Sequence, residues 1–118
     1  MALAMTPTLI DDGGDGVYVY GTIAASGNYA TGGDTLDFTT IQGKGAYSRV
    51  FQASALPVQV AVYGTTGDSY GFVPGTTLAN GKVKINTASN TELGAGAYPA
   101  RITGDTGLFF EAVFAKNL

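Results

Sequence analysis

The chain alternates short tracts rich in Val, Ile, Tyr and Phe with turns rich in glycine, and this pattern restricts it to a β-rich fold. The pattern Val17-Tyr18-Val19-Tyr20, followed by Ile23, predicts a strand from Val17 to Ala25 with one aliphatic and one aromatic face, because successive strand residues point to opposite sides. The final tract, Leu108 to Ala115, is apolar on both sides, which predicts burial on both. With about seven to nine short strands and no helical period, the sequence predicts an all-β, antiparallel β-sandwich or small barrel.

The length supports one domain, since 118 residues provide one core. Residues 1–10 contain Pro7 and no clear period, so they predict an extended N-terminal arm in front of a domain at 11–118. Within the domain, Val58, Val60 and Val62 predict a core strand. Further strands are expected at Leu36 to Ile41, Tyr47 to Gln52, Ser69 to Val73 (antiparallel to the core strand) and Pro99 to Thr103. A type I′ hairpin turn is expected at Asn80-Gly81, between Thr76 to Ala79 and Lys82 to Thr87, with Val83 and Ile85 facing inward.

The chain contains no His, Cys or Trp, which removes Ser-His-Asp, Cys-His and zinc chemistry together. Asp11, Asp12 and Asp15 match no calcium-loop spacing and are typical of a solvated turn. Gly43-Lys44-Gly45 lacks the remaining residues of a phosphate loop. The sequence therefore predicts a protein that binds rather than catalyses, with no metal and no cofactor.

The sequence is also compatible with two other kinds of site, a hydrolase site and a sugar-binding surface. A hydrolase needs two carboxylates close in space, which sequence spacing does not decide, and the candidates are Asp34, Asp37, Glu92 and Glu111. Exposed tyrosines would support shallow sugar binding, and the candidates are Tyr29, Tyr47, Tyr70 and Tyr98.

Charged residues make up only 13% of the chain, against roughly 25% in typical soluble domains. Two interpretations are compatible with this: an uncharged but solvated surface, or a surface buried against neighbouring subunits. The net charge is −3 and no Lys/Arg run is present, so nucleic acid and membrane surfaces are not expected partners. No apolar run approaches the ~18 residues of a membrane span, and the start lacks a signal-peptide pattern, so synthesis in a cytoplasm is expected.

Two stretches carry a resemblance to a known class of proteins. The first is Ser26-Gly27-Asn28-Tyr29-Ala30-Thr31-Gly32-Gly33-Asp34-Thr35-Leu36-Asp37. The second is Glu92-Leu93-Gly94-Ala95-Gly96-Ala97-Tyr98-Pro99-Ala100, leading into Phe109 to Lys116. Together with the chain length, they resemble small virion structural proteins of tailed bacteriophages, including head decoration or cement proteins. The resemblance implies a homo-oligomeric subunit, preferentially a trimer, that binds the major capsid protein lattice on the outer surface of the virion and clamps neighbouring capsomers.

The predicted function is therefore stabilisation of an assembled shell by multivalent protein contacts. The candidate partner-binding residues lie in the arm, in the two loop stretches and on the final strand: Met5, Pro7, Leu9, Tyr29, Tyr98, Phe110 and Phe114. The alternative from another class is a carbohydrate-binding or adhesion module. A tail or head-completion role also stays open.

Overall fold

A computed structural model describes residues 3–12, 16–41 and 57–115, and these form nine strands, one 3-10 turn and one short helix. The strands are β1 (Leu3–Asp12), β2 (Gly16–Ala25), β3 (Asn28–Tyr29), β4 (Asp34–Leu36), β5 (Pro57–Tyr63), β6 (Ser69–Val73), β7 (Gly81–Asn86), β8 (Gly96–Ala97) and β9 (Phe109–Ala115). The 3-10 turn is Phe38–Thr40, and the helix α1 is Ala100–Thr103.

Most of the strands belong to two antiparallel sheets. The larger sheet has the order β1-β2-β9-β5, and the smaller one has the order β4-β7-β6. A two-residue ladder joins β3 to β8 beside them. Inward-facing residues of both sheets belong to one apolar core, so the predicted all-β class is confirmed and the arrangement is sandwich-like.

Phe38 links the two sheets. Its ring is 1% exposed and makes edge-to-face contacts with Phe110 and Phe114 of β9 on one side and with Phe72 of β6 on the other. The ring centroids lie 6.3, 5.2 and 6.2 Å away, within the range of favourable aromatic pairs. The 3-10 turn that presents Phe38 begins at Asp37, whose carboxylate accepts hydrogen bonds from the backbone N–H and the hydroxyl of Thr39. The strand predicted from Leu36 to Ile41 is therefore wrong, because β4 ends at Leu36 and Asp37 caps the turn that follows it.

The predicted N-terminal arm is wrong for residues 3–10, which are part of edge strand β1. Its backbone pairs with β2 along its length, and Leu3 and Met5 are buried in the core. Pro7 lies at a register shift, where a residue without an N–H is tolerated on an edge strand. Gly21 lies opposite Pro7, and a Cβ there would clash with the carbonyl oxygen of Thr6. The missing side chain of Gly21 therefore lets β1 approach, and the domain includes the segment that had been assigned to an arm.

Several other local predictions are corrected by tertiary contacts. β5 is an edge strand, and Val58 is largely exposed at a second register shift. Ser69–Val73 is a strand as predicted, but it pairs with β7 in the other sheet. The type I′ turn predicted at Asn80-Gly81 is wrong, because the whole segment between Val73 and Gly81 connects β6 to β7. Within this segment, the side-chain oxygen of Asn80 accepts hydrogen bonds from the backbone N–H groups of Thr76 and Thr77.

Three further predictions have different outcomes. Val83 and Ile85 face the core as predicted, and they lie on β7, the central strand of the smaller sheet. The strand predicted from Pro99 to Thr103 is wrong, since α1 lies there. The strand predicted from Tyr47 to Gln52 lies outside the described residues.

Candidate protein-contact surface

The outer side of the four-stranded sheet carries a group of aromatic and small apolar side chains. The strand register places them in three cross-strand rows, because directly opposed residues share a face. The rows are Thr22-Phe109-Tyr63, Tyr20-Glu111-Ala61 and Tyr18-Val113-Gln59. We call this surface the aromatic face.

The exposed aromatic side chains of the aromatic face are a pair of rings at one end. Tyr63 is 43% exposed and Phe109 is 38% exposed, and their ring centroids lie 5.0 Å apart with an angle of 33° between the ring planes. Tyr18, Tyr20 and Val113 are half-buried beside them. A surface of this composition is costly in water and typical of the centre of a protein interface, where Tyr and Phe are enriched.

Glu111 is the charged residue at the middle of this face, flanked in register by Tyr20 and Ala61. It is half-buried, and it makes no hydrogen bond or ion pair with any described residue. Five other carboxylates accept hydrogen bonds within the fold: Asp34, Asp37, Asp68, Glu92 and Asp105.

Two tyrosine–carboxylate pairs join the loop after β3 to the segment before α1. The Tyr29 hydroxyl donates to Glu92 Oε2 at 2.8 Å and accepts from the Ile85 N–H at 3.1 Å, while the Gly32 N–H donates to the same Glu92 oxygen at 2.6 Å. These donors, Gly32 first, lower the pKa of Glu92 below its usual value, whereas burial raises the pKa of Tyr29. Glu92 is therefore held as a carboxylate that anchors the loop.

The second pair is formed by Tyr98 and Asp34. The Tyr98 hydroxyl donates to Asp34 Oδ2 at 2.5 Å, and its ring packs edge-to-face on Tyr29 with centroids 6.0 Å apart. Burial, together with this carboxylate, raises the pKa of Tyr98 far above its usual value. The phenol stays neutral, so its role is that of a fixed hydrogen-bond donor.

A third polar cluster fixes the turn between β5 and β6. Arg101 forms a bidentate ion pair with the buried carboxylate of Asp68, through Nε at 2.8 Å and Nη2 at 2.9 Å. Asp105 accepts from the N–H and the hydroxyl of Thr65, and these bonds lower its pKa. The Tyr70 hydroxyl is buried beside them without a hydrogen-bond partner among the described residues, and burial raises the pKa of Tyr70 to about 12.

The candidate residues from the sequence are therefore mostly interior. Five of the seven predicted partner-binding residues are buried, where their side chains cannot contact a partner: Met5, Tyr29, Tyr98, Phe110 and Phe114. Pro7 is half-buried in β1, and the side chain of Leu9 lies outside the described residues. For these five the prediction is wrong, since they fill the space inside the sandwich or next to it.

The other candidate sites have the following positions. Among the sugar-binding candidates, Tyr29 and Tyr98 are buried, Tyr70 is half-buried, and Tyr47 lies outside the described residues. Asp11 and Asp12 end β1, and Asp15 lies outside the described residues. In the part of the chain that the structure describes, no three His, Cys, Asp or Glu side chains are grouped to hold a metal ion.

One sequence pattern pointed to the aromatic face, although the predicted partner-binding residues do not include it. The alternation of Val17-Tyr18-Val19-Tyr20 predicts an aromatic side for β2, and the structure confirms that Val17 and Val19 are buried while both tyrosines face outward. Tyr63 and Phe109 join this side only through pairing of β5 and β9, which are distant in sequence.

Comparisons with known proteins give no match to this chain among protein-family models, curated proteins or solved structures. The described helical segments include none that is long and apolar enough to cross a membrane.

Proposed function

We propose that this chain is a non-enzymatic structural subunit that binds the outside of an assembled protein shell and stabilises it, as capsid decoration proteins do. The aromatic face is the observation that carries the proposal. It presents two exposed rings, two half-buried tyrosines and one carboxylate on the outer side of an antiparallel sheet. Such a surface suits a protein partner, because desolvating rings is favourable and few charges have to lose their water.

The positions of the carboxylates also favour binding over hydrolysis. Asp34, Asp37 and Glu92 each accept hydrogen bonds that hold a turn or loop, and Glu111 lies on an open sheet face. A glycosidase instead needs two carboxyl groups facing each other across a substrate. The low charge content of the chain is consistent with a subunit that has neighbours on more than one side.

Binding to a shell allows individually weak contacts to act together. Each subunit that touches several lattice positions gains from a high effective concentration at the second contact. Contact along an outer sheet face is sufficient for this role, whereas a small-molecule site needs concave walls.

The test is sedimentation of the purified chain with empty phage heads assembled from purified major capsid protein. We expect the wild-type chain to sediment with the heads and raise their resistance to heat. Tyr63→Ser should weaken binding about fivefold to thirtyfold, since loss of an interface ring costs about 1 to 2 kcal/mol. Tyr63→Phe keeps the ring and is the matched control, so it should bind like the wild type.

Two results would contradict the proposal. The first is a folded wild-type chain that does not sediment with the heads at all. The second is equal binding by Tyr63→Ser and Tyr63→Phe, which would remove the aromatic face from the contact.

A carbohydrate-binding module is the second candidate, favoured by the exposed Tyr63–Phe109 ring pair. Rings of this kind also stack on sugars. Selective binding on a glycan array that is lost in Tyr63→Ser, together with failure to bind heads, would support this alternative.

A further inference from the structure

Strand β6 has one backbone edge that pairs with β7 and one that is open among the described residues. Ile85 of β7 lies opposite Tyr70, but the backbone groups of Ile85 point to the other side of β7. Its N–H donates to the Tyr29 hydroxyl at 3.1 Å, and its C=O accepts from the Leu93 N–H at 2.8 Å. Bonded and non-bonded residue pairs alternate along an antiparallel ladder, so Tyr70 and Phe72 both occupy non-bonded positions. Their N–H and C=O groups therefore point away from β7, and no described residue pairs with them.

The other edge strands carry features that block further pairing, and β6 lacks these features. β1 contains Pro7 at a register shift, β5 begins with Pro57 at a second register shift, and β4 has only three residues. Proline, bulges and short length are common means by which an edge avoids adding another strand. β6 has five residues in unbroken register, and none of them is proline or charged. Of the four described edges, β6 is therefore the one suited to accept a further strand.

A cleft follows the open edge of β6. Its volume is about 260 Å³, and it is lined by all five residues of β6 together with Lys84 and Asn86. Tyr70 and Phe72 are half-buried against the core, whereas Val73 is 43% exposed on the outer side. Between them, Gly71 leaves space in which an added Cβ would meet no atom within 4 Å. A strand laid along this edge would cover apolar surface on both of its sides.

The charges beside the edge favour an acidic partner. The described residues include three cations, and Arg101 is held by the buried carboxylate of Asp68. The other two, Lys82 and Lys84, are exposed on the outer side of β7. Neither lysine forms an ion pair with a described residue, although the charge of Lys84 reaches Glu92. The open edge of this acidic chain therefore lies next to two free positive charges.

Gly71 leaves a path from the open edge to Lys84. The two residues are directly opposed, so a residue added opposite Gly71 would stand in the same cross-strand row as Lys84. Two strand spacings separate the Cα atoms by about 9.6 Å, which a Glu and a Lys side chain can bridge together. Because Gly71 has no side chain, nothing in the row comes between the two charges.

We propose that the open edge of β6 binds an extended acidic segment of another protein, which becomes a fourth strand of the smaller sheet. The backbone of this segment pairs with Tyr70 and Phe72, and its carboxylate opposite Gly71 forms an ion pair with Lys84. The inference goes beyond the proposed function, because β6 belongs to the other sheet and the aromatic face stays available to the shell. So short a strand makes a weak contact, with a Kd between about 10 μM and about 1 mM.

The first experiment measures amide hydrogen exchange in the full chain by NMR. The Tyr70 and Phe72 amides should exchange at least about tenfold faster than the amides of Gly71 and Val73, which are bonded to β7. Equal protection of all four amides in the monomer would show that other residues of the chain already cover the edge, and it would overturn the inference. Protection of Tyr70 and Phe72 that rises with protein concentration would identify a second copy as the occupant, and it would also overturn the inference.

The second experiment is an NMR titration with the blocked peptide acetyl-Thr-Thr-Val-Glu-Val-Thr-Thr-amide. Its alternation places Val beside Tyr70 and Phe72 and Glu opposite Gly71. The peptide should bind with a Kd no weaker than about 1 mM and slow the exchange of the Tyr70 and Phe72 amides. No binding at about 5 mM peptide, or binding that leaves these two amides unchanged, would contradict the proposal.

The ion pair is tested with a second peptide that has Gln in place of Glu. The wild-type chain should bind the Glu peptide about twofold to fivefold more tightly than the Gln peptide, as expected for a partly exposed ion pair. Lys84→Gln should remove this preference, whereas the matched control Lys82→Gln makes the same charge change and should keep it. Circular dichroism verifies that both variants are folded. A preference that survives in Lys84→Gln, or that is lost equally in both variants, would overturn the assignment of an acidic segment to this edge.

Discussion

Replacing Phe38 by alanine should destabilise the domain more than any change on the aromatic face. The ring is 1% exposed and touches Phe72, Phe110 and Phe114, which belong to both sheets. A buried Phe→Ala change costs about 3 to 5 kcal/mol, because apolar contact is lost and a cavity remains. The whole chain should have a stability of about 6 to 18 kcal/mol, so this single change removes a large part of it.

The matched control is Phe109→Ala, which removes the same atoms from a ring that is 38% exposed on the outer side of β9. It leaves no cavity, so the expected cost is about 1 to 1.5 kcal/mol from strand preference and loss of the pair with Tyr63. Urea unfolding followed by tyrosine fluorescence and circular dichroism measures both, since the chain has no tryptophan. The midpoint should fall by roughly 2 M for Phe38→Ala.

Both variants must be measured at two protein concentrations, because self-association would raise apparent stability. A difference between the two variants below about 1 kcal/mol would refute the assignment of Phe38 to the centre of the sandwich.

The remaining predictions concern the tyrosines and their carboxylates. Tyr98→Phe should lower the free energy of unfolding by about 1.5 to 3 kcal/mol, because it breaks the hydrogen bond to Asp34. Tyr70→Phe should leave the free energy of unfolding unchanged or raise it by about 1 kcal/mol, because it removes a buried hydroxyl that has no hydrogen-bond partner among the described residues. Urea midpoints compare the two variants. The pKa of Tyr70 is raised to about 12 in the folded protein, whereas an unfolded tyrosine titrates near 10, so the unfolded state loses its proton first. The free energy of unfolding should therefore fall between about pH 10 and about pH 12, and it should fall less steeply in Tyr70→Phe. An equal pH dependence in the variant and the wild type would contradict the raised pKa. The pKa of Glu92 is lowered, so its contribution to stability is present above the usual value of 4.5 and is lost as the pH falls through the folded pKa. In thermal unfolding at decreasing pH, the melting temperature of Glu92→Gln should therefore fall less than that of the wild type. An identical fall in both proteins would show that Glu92 does not contribute to the acid sensitivity.

The core could be predicted from the sequence more fully than the candidate contact surface. Buried Val17, Val19, Val83 and Ile85 follow from period-two alternation, because a sheet that covers a core on one side needs an apolar residue at every second position. Alternation could not predict whether the side chains of the partner-binding candidates are exposed or buried. Tyr98 is as compatible with an exposed loop as with a buried one until Tyr29 and Asp34 surround it.

The sequence by itself determined the fold class, the strands β2, β6, β7 and β9 within a residue or two, and the lack of thiol and imidazole chemistry. These depend on composition and on local periodicity, which the chain carries in every short window. Only the tertiary structure decided that residues 3–12 pair with β2, that Phe38 fills the centre from a turn, and which side of β9 faces outward. The physical reason is that Leu108 to Ala115 is apolar on both sides, so its pattern alone does not choose a side. The choice came from long-range pairing with β2 and β5, which placed Phe110 against Phe38 and left Phe109 beside Tyr63 on the surface.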